Sequence, residues 1–176
     1  MEQVRKLENM IEGWLKPLPH LPAQWRKWLT ENVWWITLLG VVLSVFGVIA
    51  MVGAIFTAMN FVNSVNNWYN ALGIANTTIY TNWWYISSFV SLAFLALTIA
   101  LEAMAVTPLK AQKRKGWELM FLVFLLGVAS QVVNLVLNFG NMSVVTSSFG
   151  IVIGTVVGAY FLFELRSGFK STSEVK

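Results

Sequence analysis

The sequence predicts an all-α fold, an integral membrane four-helix bundle with N-terminal interfacial amphipathic helices. The first observation is where the charges lie: every Lys, Arg and Glu falls within 1–31, 102–118 or 164–176, and the chain has no Asp. The second is composition, since 57% of the residues are hydrophobic. A soluble domain needs charge over its whole surface. A bilayer explains the charge-free stretches, because a charge at its centre costs about 2.5–3.5 kcal/mol.

Residues 1–31 are predicted to be a cytoplasmic interfacial region made of one or two helices lying on the bilayer surface. Apolar residues recur on one side of a helix up to Leu15, and Pro17, Pro19 and Pro22 then interrupt the helical pattern. The next stretch places Trp beside Arg and Lys, a combination typical of the membrane–water interface.

Four transmembrane spans are predicted at about 34–58, 83–106, 117–139 and 144–165, forming one unit at 32–165 that is followed by a tail at 166–176. Tryptophans mark the span ends, as an aromatic belt requires. The second span is expected to end at Thr107 and Pro108. The turn at 140–143 is so short that the third and fourth spans should be antiparallel neighbours.

The region 60–82 holds seven Asn and no charge. Its apolar residues recur at helical spacing, so the first span is expected to continue or kink into an amphipathic helix on the outer surface. Gly73 is the predicted stop for this helix.

The distribution of basic residues predicts the orientation. Five Lys or Arg precede the first span, four lie between the second and third, and three follow the fourth, whereas the two opposite loops contain none. By the positive-inside rule, both termini are cytoplasmic in a multi-pass protein of the cell inner (plasma) membrane.

Small residues predict where helices approach closely. Gly150, Gly154 and Gly158 form one stripe on the fourth span, and the first span carries a small ridge that includes Gly40, Ser44 and Gly47. Such stripes let two backbones pack together in lipid. Packing against the first or third span within one protomer and a homo-oligomer interface both fit, and the matching ridge favours the first.

A polar stripe on the third span consists of Gln131, Asn134 and Asn138. Amides in hydrocarbon need hydrogen-bond partners. The candidate partners are Ser88, Ser91, Thr98 and Thr155. The alternative use of this stripe is a polar path or an outward-facing binding cavity.

Ionisable groups are expected at the cytoplasmic border. Glu102 is interpreted as an interfacial or ion-paired group about one turn from the span end, with a proton relay as the alternative. A charged collar is predicted from Glu118, Glu164, Lys110, Arg114 and Arg166. The basic loop, namely Lys110, Lys113, Arg114 and Lys115, is the predicted contact for anionic lipid headgroups.

Composition excludes several kinds of site. The chain has no Cys and one His, His20, with no other ligand spaced to help it hold a metal. We therefore expect no catalytic residues, no metal, no cofactor and no nucleic-acid partner.

The segments 107–119 (TPLKAQKRKGWEL) and 158–170 (GAYFLFELRSGFK) resemble those of small four-span membrane proteins of the ultra-small candidate-phyla bacteria. In that group a Trp-containing interfacial segment precedes the first span and a Lys-rich Lys-Gly-Trp loop precedes the third. The resemblance implies a bacterial source and a four-span topology.

The favoured function is a non-enzymatic membrane scaffold or accessory subunit that acts through transmembrane helix contacts. Its expected partners are membrane lipids and either further copies of the chain or a larger membrane protein. The alternative is a small oligomeric transporter or channel that uses the polar stripe, and a membrane enzyme ranks third.

Overall fold

The computed structural model of the chain describes residues 2–74, 82–137 and 144–169. Its elements there are five helices: α1 (Glu2–Leu15), α2 (Ala23–Ala71), α3 (Asn82–Lys110), α4 (Arg114–Leu137) and α5 (Val144–Arg166). Each of α2 to α5 contains a segment long and apolar enough to cross a membrane. The all-α class and the number of candidate spans are therefore as predicted.

The helix α2 is a single element of 49 residues, about 74 Å long at 1.5 Å per residue. α2 therefore runs without interruption across the predicted boundary between an interfacial region ending at 31 and a span beginning near 34, and the position of that boundary stays a prediction. Pro22 immediately precedes α2, and no proline follows before Ala71. Nothing in this stretch therefore breaks the backbone hydrogen-bond ladder.

The predicted continuation of the first span into the Asn-rich region is confirmed as far as Ala71. Gly73 follows with φ of 67°, a left-handed backbone conformation that glycine adopts without steric cost. The Gly73 stop is therefore confirmed. Residues 75–81 of the Asn-rich region lie outside the described residues.

The α3–α4 connection is shorter than predicted. α3 does not end at Thr107 and Pro108 but continues to Lys110, with Pro108 inside its last turn. The Ala111 amide donates to the Thr107 carbonyl and the Lys113 amide to the Pro108 carbonyl, so the proline removes one bond without ending the helix. Gln112, with φ of 50°, closes the turn. Arg114 and Lys115 already belong to α4.

The largest helix contacts within α2 to α5 join neighbours in sequence, and α1 and α2 each make a smaller contact with α5. α3 lies along both α2 and α4, and α5 packs on α4 over a smaller surface. The core gathers where α3 ends, α4 begins and α5 ends, which we call the charged end; its buried residues are Ala105, Leu109, Trp117, Phe121, Leu162, Leu165 and Phe169. In the most apolar segment of each long helix, at most 22% of the residues are buried. Most residues of these segments are thus at least partly exposed.

Candidate functional site

Trp117 lies at the centre of the charged end. Its side chain is buried, and its indole N–H donates a hydrogen bond of 2.7 Å to the Leu162 carbonyl, which ties α4 to α5. The guanidinium groups of Arg114 and Arg166 lie 4.3 Å and 5.6 Å from the ring centroid. These cation–π contacts hold both arginines against the indole.

The helix α1 is held to this end by its acidic residues. Glu8 is 5% exposed. Its Oε1 accepts from Arg114 and lies 2.6 Å from Nη2 of Arg166, while Glu12 accepts from Nη1 of Arg166. A buried carboxylate is tolerated only where charged partners surround it. The amphipathic α1 is therefore docked on α4 and α5 by ion pairs.

The proline-rich connector between α1 and α2 is docked on α5. His20 Nδ1 donates to Glu164 Oε1 at 2.6 Å, and the Leu21 amide donates to the other oxygen at 3.2 Å. The Tyr160 hydroxyl donates to the Pro19 carbonyl at 2.6 Å. His20, which has no other potential metal ligand nearby in the sequence, thus pairs with a carboxylate that lies 144 residues further along the chain.

A cavity of about 510 Å³ lies between these docked segments. Its wall comes from the end of α1, the connector, the first turn of α2, the start of α4 and the end of α5. Four cations and two acids line it: Lys16, Arg26, Arg114, Arg166, Glu12 and Glu164. The cavity is therefore net positive when His20 is neutral.

The predicted charged collar forms in part. Arg114 lies 3.8 Å from Glu118, as expected, but its closer partner is Glu8 of α1. Glu164 pairs with His20 and, at 3.9 Å, with Arg26. The part played by α1 was missed, although Glu8 and Glu12 lie four residues apart and so share one side of the helix.

The four basic residues predicted to contact lipid headgroups occupy different environments. Lys113 and Lys115 are exposed. Lys110 lies 5.0 Å from the centroid of the Trp34 ring, and Arg114 is engaged with Glu8. Headgroup binding by this loop stays a prediction, with Lys113 and Lys115 as its unobstructed members.

The amides of the polar stripe are engaged in hydrogen bonds. Asn134 accepts from the Ser91 hydroxyl at 2.8 Å and donates to the Ser130 carbonyl at 2.9 Å. Gln131 donates to the Gly127 carbonyl at 3.3 Å. Ser91 is thus one of the predicted partners, whereas the Thr155 hydroxyl is buried without a partner among the described residues. Asn138 lies outside the described residues.

The glycine stripe on α5 is only partly covered. A β-carbon at Gly158 would lie 3.5 Å from the Phe124 ring of α4, whereas nothing described lies within 4 Å of such a carbon at Gly150 or Gly154. The same is true of Gly40 and Gly47 on α2, and Ser44 is half-buried. Within the described part, the intramolecular packing expected of this stripe is formed at Gly158 alone.

α3 continues for two turns beyond Glu102, and the distance of Glu102 from the end of the membrane span stays a prediction. Its Oε2 is buried without a hydrogen-bond partner among the described residues. No group of three or more His, Asp or Glu side chains in the described ranges is placed to hold a metal ion.

Comparison with known proteins gives no further assignment. No family model matches the chain, and no similar curated protein or solved structure was found.

Proposed function

We propose that the chain is an integral membrane scaffold or accessory subunit without enzymatic activity, working through contacts of its transmembrane helices. The observation that carries this proposal is the open glycine stripe. Gly150 and Gly154 leave a groove on α5 that no described part of the chain fills. In lipid, close approach of backbones along such a groove is a main source of helix association.

The same proposal places the protein in the inner membrane of a bacterium, with both termini cytoplasmic. The basic residues support this orientation, because all twelve belong to the segments predicted on the cytoplasmic side. The docked α1, the connector and the cavity then lie at the cytoplasmic surface.

The alternative is a small oligomeric transporter or channel. Its polar path would run along Gln131, Asn134 and Asn138. The hydrogen bond from Ser91 of α3 to Asn134 of α4 favours a packing role for this stripe. The scaffold therefore ranks ahead of the transporter.

Native mass spectrometry of the protein, gently extracted from its own membranes, tests the scaffold. The double variant Gly150→Leu/Gly154→Leu fills the groove and should release the partner subunit, because bulky side chains prevent close helix approach. The matched control is Val152→Leu/Val156→Leu, two exposed positions of the same helix at the same spacing. This control should keep the partner.

Two outcomes would count against the scaffold. A wild-type protein that is monomeric in native membranes would have no partner to release. A closed homo-oligomer that conducts ions or solutes after reconstitution into liposomes would favour the transporter instead.

A further inference from the structure

The cavity at the charged end contains four cations, one more than the three carboxylates that pair with them. Arg114 and Arg166 are committed to Glu8 and Glu12. Lys16 is exposed, and no ion pair joins it to another described residue. Arg26 reaches Glu164 only at 3.9 Å, and that carboxylate already accepts from His20 and from the Leu21 amide. Lys16 and Arg26 are therefore left with donors for an anion.

The chemistry of these two side chains suits phosphate. Arg presents several N–H donors in a plane that matches two phosphate oxygens, and Lys adds a point charge. Both residues line the same cavity. At about 510 Å³ the cavity is within the usual size range of small-molecule sites.

The other wall of the cavity is apolar. Leu15, Tyr160, Phe163 and Phe169 line it. Tyr160 and Phe163 belong to the segment of α5 that is apolar enough to cross a membrane. Trp14 and Trp25, on the adjoining ends of α1 and α2, are largely exposed, as is common for Trp at the level of lipid headgroups. A cavity that is cationic on one side and apolar on the other fits an amphiphile.

From these observations we infer that the cavity binds the phosphate of an anionic phospholipid, with Lys16 and Arg26 as its ligands. The lipid reaches the site from the bilayer along Tyr160 and Phe163. Its glycerol and the first carbons of its chains rest on the apolar wall. This site differs from Lys113 and Lys115 of the α3–α4 connection, which are exposed and do not line the cavity.

Lipid binding to the purified full chain in detergent tests the inference. Phosphatidylglycerol and phosphatidylcholine are titrated, and bound lipid is counted by native mass spectrometry. We expect preferential binding of phosphatidylglycerol. The variant Lys16→Gln/Arg26→Gln should lower that affinity about thirtyfold, the loss expected when two cations that contact an anionic lipid are removed. The single Lys16→Gln variant alters only an exposed side chain and should lower it as well.

The matched control for the single variant is Lys27→Gln, which removes the same charge from an exposed side chain that does not line the cavity. It should leave the affinity nearly unchanged. An equal loss in the control, or equal binding of the two lipids by the wild type, would overturn the site. Displacement of the lipid by an equal concentration of glycerol phosphate would overturn the lipid as the ligand, because a soluble phosphate ester would then suffice.

Discussion

Gly116 is the residue at which the α3–α4 hairpin has least room. A β-carbon there would lie 2.7 Å from the Leu109 amide nitrogen and 2.9 Å from the Pro108 carbonyl carbon. Backbone atoms cannot move aside as a flexible side chain can. The two helices meet at this point through their main chains, and the three-residue turn depends on that approach.

Gly116→Ala should therefore destabilise the protein by about 1–3 kcal/mol, the usual cost of overpacking. Thermal unfolding in detergent measures the change. The matched control is Gly127→Ala in the same helix, where an added carbon meets nothing within 4 Å. Because Ala is the better helix former by about 1 kcal/mol, that variant should be neutral or slightly stabilising. Equal behaviour of the two variants would contradict the close approach at Gly116.

At the scale of elements, we expect the docking of α1 on the rest of the protein to depend more on its ion pairs than on the apolar area that it buries. Its contact with α5 is small, and Glu8 supplies its most buried polar contact. Neutralising Glu8 would leave both arginines without their shared partner, so α1 should detach while α2 to α5 stay folded.

Glu8→Gln tests this dependence. The docked state should lose up to about 3 kcal/mol, near the lower limit for buried pairs, because the Arg114 and Arg166 side chains are 22% and 25% exposed. Hydrogen exchange of the α1 amides should rise, while exchange in α4 stays the same. Glu31→Gln serves as the control, because it breaks an ion pair with Lys27 that is exposed and has a longer N–O distance. Unchanged exchange in α1 would show that its apolar residues hold it.

A comparison of the predicted and observed helix boundaries shows which of them the sequence can predict. Charge-free segments predicted the four helices that are long and apolar enough to cross a membrane, and Val144 begins α5 as predicted. α2 runs without interruption through residue 32, because a change from amphipathic to fully apolar sequence alters the surroundings of a helix without interrupting its backbone. The proline-based end at 107–108 was wrong because a proline in a last turn removes only one hydrogen bond.

At the scale of the whole molecule, the placement of charge predicts orientation. The chain has no cysteine, so a single introduced thiol can be labelled without background. Asn67→Cys, on the Asn-rich part of α2, should react with a membrane-impermeant maleimide in intact cells. Ala111→Cys, in the α3–α4 turn, should react only after the membrane is opened. Both positions are exposed, so the reverse pattern would mean that the orientation is inverted.

The docking of α1 and the proline-rich connector on α4 and α5 could not be predicted from the sequence. Glu8 and Arg166, or His20 and Glu164, are separated by most of the chain, and periodicity reports only on near neighbours. The hydrogen bonding of the polar stripe was easier to predict from the sequence, because an amide in an apolar transmembrane helix needs a hydrogen-bond partner in any fold. Ser91 was among the few hydroxyls able to supply one.

The pairing of Glu8 with Arg166 also constrains the order in which the protein is made. α1 leaves the ribosome before α5, yet one of its two arginine partners is the last residue of α5. Until α5 has been inserted, the acidic side of α1 lacks that partner and the connector lacks Glu164. Closure of this end is therefore a late step of biogenesis, and a chain that stalls before α5 would display an undocked α1 to the quality-control proteases of the cell.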